Sequence, residues 1–144
     1  MKQPLFFPLC CCLIAIVHLE GCARKSPLAD RIAGANQVIV LRRTGAHQAA
    51  SRSITGDEAT AIVRAAVSAT LNPQKGGAAP AFDDDIKIMF LNGSNVLSVV
   101  LANQGRFATD GNEYMDESGI LRQLGTASAD KWHATSYEQY QQLK

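Results

Sequence analysis

Residues 86–115 read IKIMFLNGSNVLSVVLANQGRFATDGNEYM, and this stretch decides the fold class. Along 86–91, Ile86, Ile88 and Phe90 alternate with other side chains, and an apolar run returns at 96–101. Such alternation is typical of strands, and the Gly- and Asn-containing turns at 92–95, 103–105 and 110–111 are typical of hairpins. The stretch therefore predicts an antiparallel meander of three or four strands, the last two at 106–109 and 112–115.

The meander is preceded by a segment with helical periodicity. Thr55 and Glu58 form a T-x-x-E pattern, which predicts a capping box at the helix start. Asn72-Pro73 predicts its end, and Arg64 lies away from the apolar stripe. The stripe predicted to face the core consists of Ala59, Ile62, Val63, Ala66, Val67 and Thr70.

Shorter elements complete the predicted order. A helical stripe at 28–35 is followed by a covered strand at 38–41, VIVL, and then by a polar loop, GAHQAASRS, at 45–53. After the meander, Asp116 predicts the cap of a short helix through Leu124, and a Thr135-x-x-Glu138 pattern predicts a terminal helix.

This order predicts an α+β fold. We expect a two-layer sandwich, with one main helix packed on an antiparallel sheet of about four to five strands and with short terminal helices. The order resembles the helix-grip and cystatin-like group of architectures. That resemblance implies a shape and no particular function, because such folds host many activities.

The first 22 residues hold all four cysteines and have the features of an export signal. Lys2 precedes an apolar run from Leu5 to Leu19, and Glu20 ends it. The run is about 15 residues long and contains Pro8, so it is short for a membrane-spanning helix, which needs about 20 residues. Residues 10–12, all cysteine, are interpreted as small apolar members of the signal.

Leu19-Glu20-Gly21-Cys22 resembles the lipobox of bacterial lipoproteins. The resemblance implies cleavage between Gly21 and Cys22 and attachment of diacylglycerol to the Cys22 thiol. Glu20 stands where the family usually has a small or uncharged residue. Two alternatives stay open: an ordinary secretory cut after Ala23 and an uncleaved anchor.

The domain organisation follows from this reading. Residues 1–21 are the predicted signal peptide, 22–27 a lipidated cysteine with a short tether, and 28–144 a single domain of ordinary size. A formal net charge of +1 gives no global attraction to nucleic acid, which is not an expected partner. The expected partners are the membrane, through the lipid anchor, and an envelope protein, peptide or lipid ligand. Ala23, in place of an inner-membrane retention aspartate, favours the outer membrane facing the periplasm if the host is Gram-negative.

No pattern in the sequence specifies a cofactor or a metal. Asp83-Asp84-Asp85 is interpreted as a solvated strand start, and 110–121 departs from a calcium loop because Met115 and Leu121 occupy the Gly and Glu positions. The predicted site residues are therefore Gly21 and Cys22 alone. No catalytic residue is assigned.

Three functions remain after these exclusions. The favoured one is a non-catalytic binding or assembly module near the membrane. The second is an envelope hydrolase using His47 or His133 with Ser51 or Ser53, although the chain has no G-x-S-x-G elbow. The third is a subunit of a larger envelope complex, joined through an exposed sheet edge.

Two residue groups near these candidates have open interpretations. Aromatic residues near the C-terminus pin a terminal segment to the core or form a recognition patch; they are Trp132, Tyr137 and Tyr140. Three arginines are a candidate basic rim around the loop before the main helix; they are Arg42, Arg43 and Arg52.

Overall fold

The fold is that of a computed structural model, which describes residues 27–71, 86–103 and 105–142. In these ranges the chain forms four α-helices, eight strands and two short 3-10 turns. In chain order they are α1 (Pro27–Ile32), β1 (Gln37–Gly45), β2 (Gln48–Thr55), α2 (Gly56–Ser68), β3 (Thr70–Leu71), β4 (Ile86–Asn92), β5 (Asn95–Asn103), β6 (Arg106–Thr109), β7 (Asn112–Met115), α3 (Ile120–Gln123), the 3-10 turns Leu124–Thr126 and Ala129–Lys131, β8 (His133–Thr135) and α4 (Tyr137–Gln142).

The strands form one antiparallel sheet in the order β3-β7-β6-β5-β4-β1-β2-β8. The predicted mixed α+β class is confirmed. The predicted number of four to five strands is wrong, because the sheet has eight. The predicted meander corresponds to β4–β7, and the predicted strand at 38–41 lies within β1. The unpredicted strands are β2, β3 and β8.

The largest of these differences is β2, which replaces most of the polar loop expected at 45–53. It pairs with β1 along its whole length, with Ile54 opposite Val38 and Arg52 opposite Val40. Arg52 is only 7% exposed, although its neighbours across the sheet are apolar. A buried arginine at this position interrupts the apolar alternation from which a strand is normally predicted.

Successive side chains of a strand point to opposite faces of the sheet. We call the two faces the Phe90 face and the Met89 face, after two adjacent residues of β4. The Phe90 face contributes to the larger cluster of buried side chains, which also contains residues of α1, α2 and α3. Its fully buried members are Leu28, Ile32, Val38, Val40, Ala66, Ile88, Phe90 and Phe107. The Met89 face contributes to a smaller cluster with α4, in which Leu41, Ala49 and Tyr140 are buried.

The main helix, α2, begins differently from the capping-box prediction. Thr55 is the N-cap residue but makes no side-chain capping hydrogen bond. The Glu58 carboxylate instead pairs with the guanidinium of the buried Arg52. The capping-box prediction is therefore wrong, and its physical reason is the stronger, charge-assisted partner that β2 offers to Glu58. The predicted stripe is buried at Ala59, Ile62, Val63 and Ala66, partly buried at Val67 and exposed at Thr70, which lies in β3.

The hairpin turns have the backbone conformations that their residues favour. Gly93 has φ +59° between β4 and β5, and its N–H donates to the Asn36 side chain at 3.0 Å. Asp110 and Gly111 have φ +50° and +73° between β6 and β7. Positive φ at both central residues is required by a type I′ turn, and Asp-Gly supplies it at low cost.

The two C-terminal helices are shorter than predicted. Asp116 accepts hydrogen bonds from the N–H groups of Ser118 at 3.0 Å and Leu121 at 2.7 Å, so it stabilises the start of α3 as expected. The helix itself begins only at Ile120, after Gly119 with φ +73°. Thr135 belongs to β8 and not to a helix cap, and α4 begins at Tyr137.

Candidate functional site

A groove of about 420 Å³ lies between the Met89 face of the sheet and α4. Its volume is within the range of small-ligand sites, about 300–1,000 Å³. The residues that line it come from four strands and one helix; they are Ile39, Leu41, Ser51, Met89, Thr135, Gln139 and Gln142. Because these positions are distant in the sequence, the groove exists only in the folded sheet.

The floor of the groove is apolar. Ile39 and Leu41 are alternate residues of β1, and Met89 of β4 lies directly opposite Ile39. Leu41 is 4% exposed, whereas Ile39 and Met89 are only partly buried. The floor therefore keeps apolar surface in contact with solvent, and covering that surface would be favourable.

The rim of the groove is polar and uncharged. Ser51 lies on β2, Thr135 on β8, and Gln139 and Gln142 three residues apart on α4. The Thr135 hydroxyl donates to the side-chain oxygen of Gln139 at 3.0 Å. This bond leaves the Gln139 amide N–H groups without a partner among the residues that the structure describes, so they can donate to a ligand.

The wall formed by α4 is held in place by a buried lysine. The Lys87 ammonium donates to the Tyr140 carbonyl oxygen at 2.8 Å and lies 4.5 Å from the centre of the Tyr140 ring. Lys87 is 6% exposed and Tyr140 3% exposed. A carbonyl bond and an aromatic face compensate a buried cation for part of its lost hydration. Tyr137 stacks on Tyr140 with ring centres 5.9 Å apart, which extends the contact along the helix.

We expect Lys87→Met to loosen α4 locally, because methionine fills space but donates no hydrogen bond. Loss of a bond from a charged donor is worth roughly 1.5–3 kcal/mol. Amide exchange within 137–142 should therefore accelerate about tenfold or more, as measured by hydrogen–deuterium exchange. Lys131→Met, at an exposed lysine, is the matched control and should leave this exchange unchanged. Equal exchange in α4 of wild type and Lys87→Met would show that the lysine does not hold the helix.

The two candidate catalytic histidines lie near the groove but outside it. His47 is exposed, and its ring contacts Tyr137 edge-on at 5.9 Å between centres. His133 is exposed in β8, opposite Ser51 of β2. Within the described ranges, neither imidazole makes a hydrogen bond to a serine or a carboxylate. A histidine activates a serine nucleophile through such a bond. The structure brings Ser51 and His133 opposite each other but shows no bond between them.

A Ser-x-x-Lys sequence also occurs, at Ser128 and Lys131, on the second 3-10 turn. Both residues are exposed. A hydrogen bond from the Ser128 side chain lowers the pKa of the Asp130 carboxyl. Neither Ser128 nor Lys131 lines the groove.

The three candidate rim arginines do not form a common surface. Arg42 and Arg52 lie on the Phe90 face, where Arg52 pairs with Glu58. Arg43, the next residue of β1, lies on the Met89 face and is exposed. The prediction of a basic rim is therefore wrong, because adjacent residues of a strand point to opposite faces.

Of the three aromatic residues near the C-terminus, Trp132 is separated from the other two. Its ring lies 4.1 Å from the guanidinium carbon of Arg42, which donates to the Gly125 carbonyl at 3.2 Å. The indole N–H donates to the Ala127 carbonyl at 3.2 Å. Trp132 therefore pins the segment after α3 to β1, while Tyr137 and Tyr140 pin α4, as the structural interpretation predicted.

The acidic segments show no cation site where they can be described. Asp110 pairs with Arg31, and Asp116 stabilises the start of α3. The run Asp83–Asp85 lies outside the described residues. In the ranges 27–71, 86–103 and 105–142, no three His, Cys, Asp or Glu side chains are grouped as a metal ion would require. The helices of these ranges also include none with the length and apolarity needed to cross a membrane.

The groove was not predicted, although part of its signal is present in the sequence. Runs such as VIVL at 38–41 and IMFL at 88–91 are apolar at consecutive positions, which is typical of strands covered on both faces. This pattern could have indicated a second, partly covered apolar surface.

The predicted lipidation site, Gly21 and Cys22, lies outside the described residues. No protein-family model, curated protein or solved structure matches this chain, so the site is interpreted from its own geometry.

Proposed function

We propose that this protein is a small lipoprotein of a bacterial envelope, anchored through Cys22, whose domain binds a ligand without converting it chemically. The groove between the Met89 face and α4 carries the proposal. It combines solvent-accessible apolar surface at Ile39 and Met89 with hydrogen-bonding groups at its rim. Binding sites for small ligands usually have this combination of an apolar lining with a few placed polar groups.

The alternatives have less support from the contacts. A hydrolase would use His133 near Ser51, but the described structure gives that histidine no orienting hydrogen bond. A complex formed by strand addition would use a sheet edge, and the edge strands β3 and β8 have only two and three residues. Short edge strands are a common device against such pairing. The groove therefore supports ligand binding better than either alternative.

The anchoring part of the proposal rests on the lipobox-like sequence. Cys22 is the fourth and last cysteine of the chain, and it follows the apolar run at the expected place. Arg24 and Lys25 follow within three residues, where each could contribute about 1 kcal/mol of attraction to an anionic membrane surface. Ala23 favours the outer membrane of a Gram-negative host.

We also propose that the domain is a two-layer sandwich with α2 across the Phe90 face. The support for this arrangement is that α2 contacts both β1 and β2 and shares the larger buried cluster with the sheet. In such an arrangement the helices occupy one side of the sheet and leave the other side, with the groove, to α4 alone.

The proposal is tested by titrating the lipidated chain, in lipid nanodiscs, with cyclohexanol as an uncharged apolar probe. We expect saturable shifts of the methyl NMR signals of Ile39 and Met89. Met89→Glu should abolish the shift of the remaining Ile39 signal, because a carboxylate at the floor opposes apolar binding. Val96→Glu is the matched control, since Val96 is 45% exposed and does not line the groove.

The same titration separates binding from the hydrolase alternative. His47→Ala and His133→Ala should bind the probe as wild type does, because neither histidine lines the groove. Absence of saturable shifts in the wild-type chain would contradict the groove as a ligand site. A hydrolytic activity lost in either folded histidine variant would contradict the non-catalytic function.

A further inference from the structure

We propose that the ligand of this groove is an uncharged, extended peptide segment that places one apolar side chain on the floor and its backbone amides against α4. This inference rests on the proposed function, because it assigns a chemical class to the ligand of the same groove. Three observations support it: the size of the floor, the character of the rim and the position of the groove relative to the tether.

The floor has room for one side chain but not for a protein surface. Ile39 and Met89 lie on neighbouring strands, which are about 4.8 Å apart, and Ile39 and Leu41 are separated by about 7 Å along β1. A stable dimer needs about 800 Å² of buried surface on each partner. In addition, α4 packs on the Met89 face. Because a helix is about 10 Å in diameter, α4 would prevent the sheet of a second copy of the chain from contacting the floor. The dimensions therefore favour a single inserted side chain over a second copy of the chain.

The rim favours a ligand that makes hydrogen bonds and carries no charge. It consists of two hydroxyls, Ser51 and Thr135, and two carboxamides, Gln139 and Gln142. An acyl chain would remove water from these groups and offer them no hydrogen bond, which opposes binding. The nearby ammonium of Lys87 is bonded to the Tyr140 carbonyl, and Lys87 is not among the lining residues. No charged side chain among the described residues therefore lines the groove, and a charged headgroup would find no counter-ion there.

A peptide backbone matches this rim in chemistry. Each carboxamide of Gln139 and Gln142 carries N–H donors and a carbonyl acceptor. In an extended peptide the N–H and C=O groups of one residue point to the same side, and those of the next residue point to the other side. The two carboxamides can therefore bond to the N–H and C=O groups that the peptide directs towards α4, while an apolar side chain of the peptide contacts Met89.

The groove opens on the side of the sheet opposite the entry of the tether. Leu28 and Ile32 of α1 are buried in the cluster of the Phe90 face, whereas the groove lies on the Met89 face. The five steps from Cys22 to Pro27 span at most about 18 Å, at about 3.6 Å per residue. The tether therefore joins the domain on the side of the sheet opposite the groove. This position favours a ligand that reaches the groove from the aqueous side, and together with the uncharged rim it leads us to assign a peptide segment and not a lipid.

The experiment titrates the lipidated chain in nanodiscs with a blocked pentapeptide, acetyl-Ser-Ala-Leu-Ala-Ser-amide, and follows the methyl signals of Ile39 and Met89. We expect saturable shifts. Replacement of the central leucine of the peptide by glycine should weaken binding about tenfold or more, since the apolar contact is lost. A peptide with glutamate at both flanking alanine positions should also bind more weakly.

The rim is tested by substitutions within α4. Gln139→Ala and Gln142→Ala should each weaken peptide binding about 3- to 10-fold, the effect of one lost hydrogen bond. Gln141→Ala is the matched control, because Gln141 belongs to the same helix, is exposed and does not line the groove. Gln141→Ala should also bind cyclohexanol as wild type does, since Gln141 belongs to neither the floor nor the rim.

The outcomes distinguish this inference from the proposed function. Saturable binding of cyclohexanol without binding of the pentapeptide overturns the peptide assignment and leaves the groove as a ligand site. Saturable binding of 1-decanol in place of the peptide assigns the groove to an acyl chain and overturns the inference. Failure of all three probes contradicts both. Equal loss of peptide affinity in Gln141→Ala and Gln139→Ala would show that the rim is not the point of contact.

Discussion

Ala66→Asp is expected to unfold the domain. Ala66 of α2 has 0% exposure and belongs to the larger buried cluster. Aspartate would place a carboxylate among apolar side chains, without a described partner, and would also overfill the site. A charge buried in this way costs about 3–5 kcal/mol, against a total stability of about 5–15 kcal/mol for an ordinary domain. Urea denaturation of the mature chain, followed by far-UV circular dichroism, should show a greatly lowered midpoint or no folded baseline.

Two further positions on the same helix make this a graded test. Val67 is only partly buried, so Val67→Asp should destabilise the domain less than Ala66→Asp does. Arg64 is exposed, so Arg64→Asp, the matched control, should change the free energy of unfolding by less than about 1 kcal/mol. The expected order of midpoints is Arg64→Asp, Val67→Asp, Ala66→Asp, from highest to lowest. Any other order would contradict the assignment of the buried helix face.

The accuracy of sequence-based prediction in this chain depended on the distance between interacting residues. The meander β4–β7 was predicted because each hairpin is specified by adjacent residues, as in Asp110-Gly111, whose positive φ angles suit the turn. The buried stripe of α2 was predicted because its period is a local property of the helix. Both patterns can be read without knowledge of the tertiary structure.

The missed elements depend on partners that lie elsewhere in the chain. Arg52 is compatible with a covered strand because Glu58 of α2 reaches its guanidinium, and this pairing also removes Glu58 from the expected capping box. Prediction of the groove would have required the position of α4. That position is fixed partly by a hydrogen bond between Lys87 and Tyr140, which are 53 residues apart. In the sequence, Lys87 has the pattern of a polar strand residue that faces solvent. Only the folded sheet places it beneath an aromatic ring.

The candidate hydrolase residues His133 and Ser51 also show that tertiary contacts cannot be predicted from the sequence. His133 and Ser51 are 82 positions apart in the sequence, yet the pairing of β8 with β2 places them opposite each other. Sequence reasoning included both in a possible hydrolase, and the structure does bring them near one another. It does not supply the hydrogen bond that would orient the imidazole. Ser51 and His133 are therefore neighbours on paired strands at the edge of the groove, and their proximity alone assigns them no further role.

Cys22→Ser is expected to abolish lipidation of the protein. Serine has no thiol, so the diacylglyceryl thioether implied by the lipobox resemblance cannot form. Each buried CH₂ group of an acyl chain contributes about 0.8 kcal/mol, and two or more chains together give stable anchoring where a single chain gives only reversible binding. The anchoring that depends on the lipid should therefore be lost completely. The variant should accumulate as an unprocessed precursor, or appear as a soluble form that begins at Arg24 if cleavage after Ala23 takes over.

Intact-mass analysis of the membrane and soluble fractions measures this result directly. The wild-type protein should begin at Cys22 and carry added lipid mass. Cys12→Ser is the matched control, since residue 12 is interpreted as a small apolar member of the signal. That variant should be processed and lipidated as wild type is, because the substitution leaves Leu19, Gly21 and Cys22 in place. A wild-type chain that begins at Arg24 without lipid mass would make the Leu19–Cys22 interpretation wrong. The groove would then belong to a secreted protein, and the peptide inference would lose its argument from the tether while keeping those from the floor and the rim.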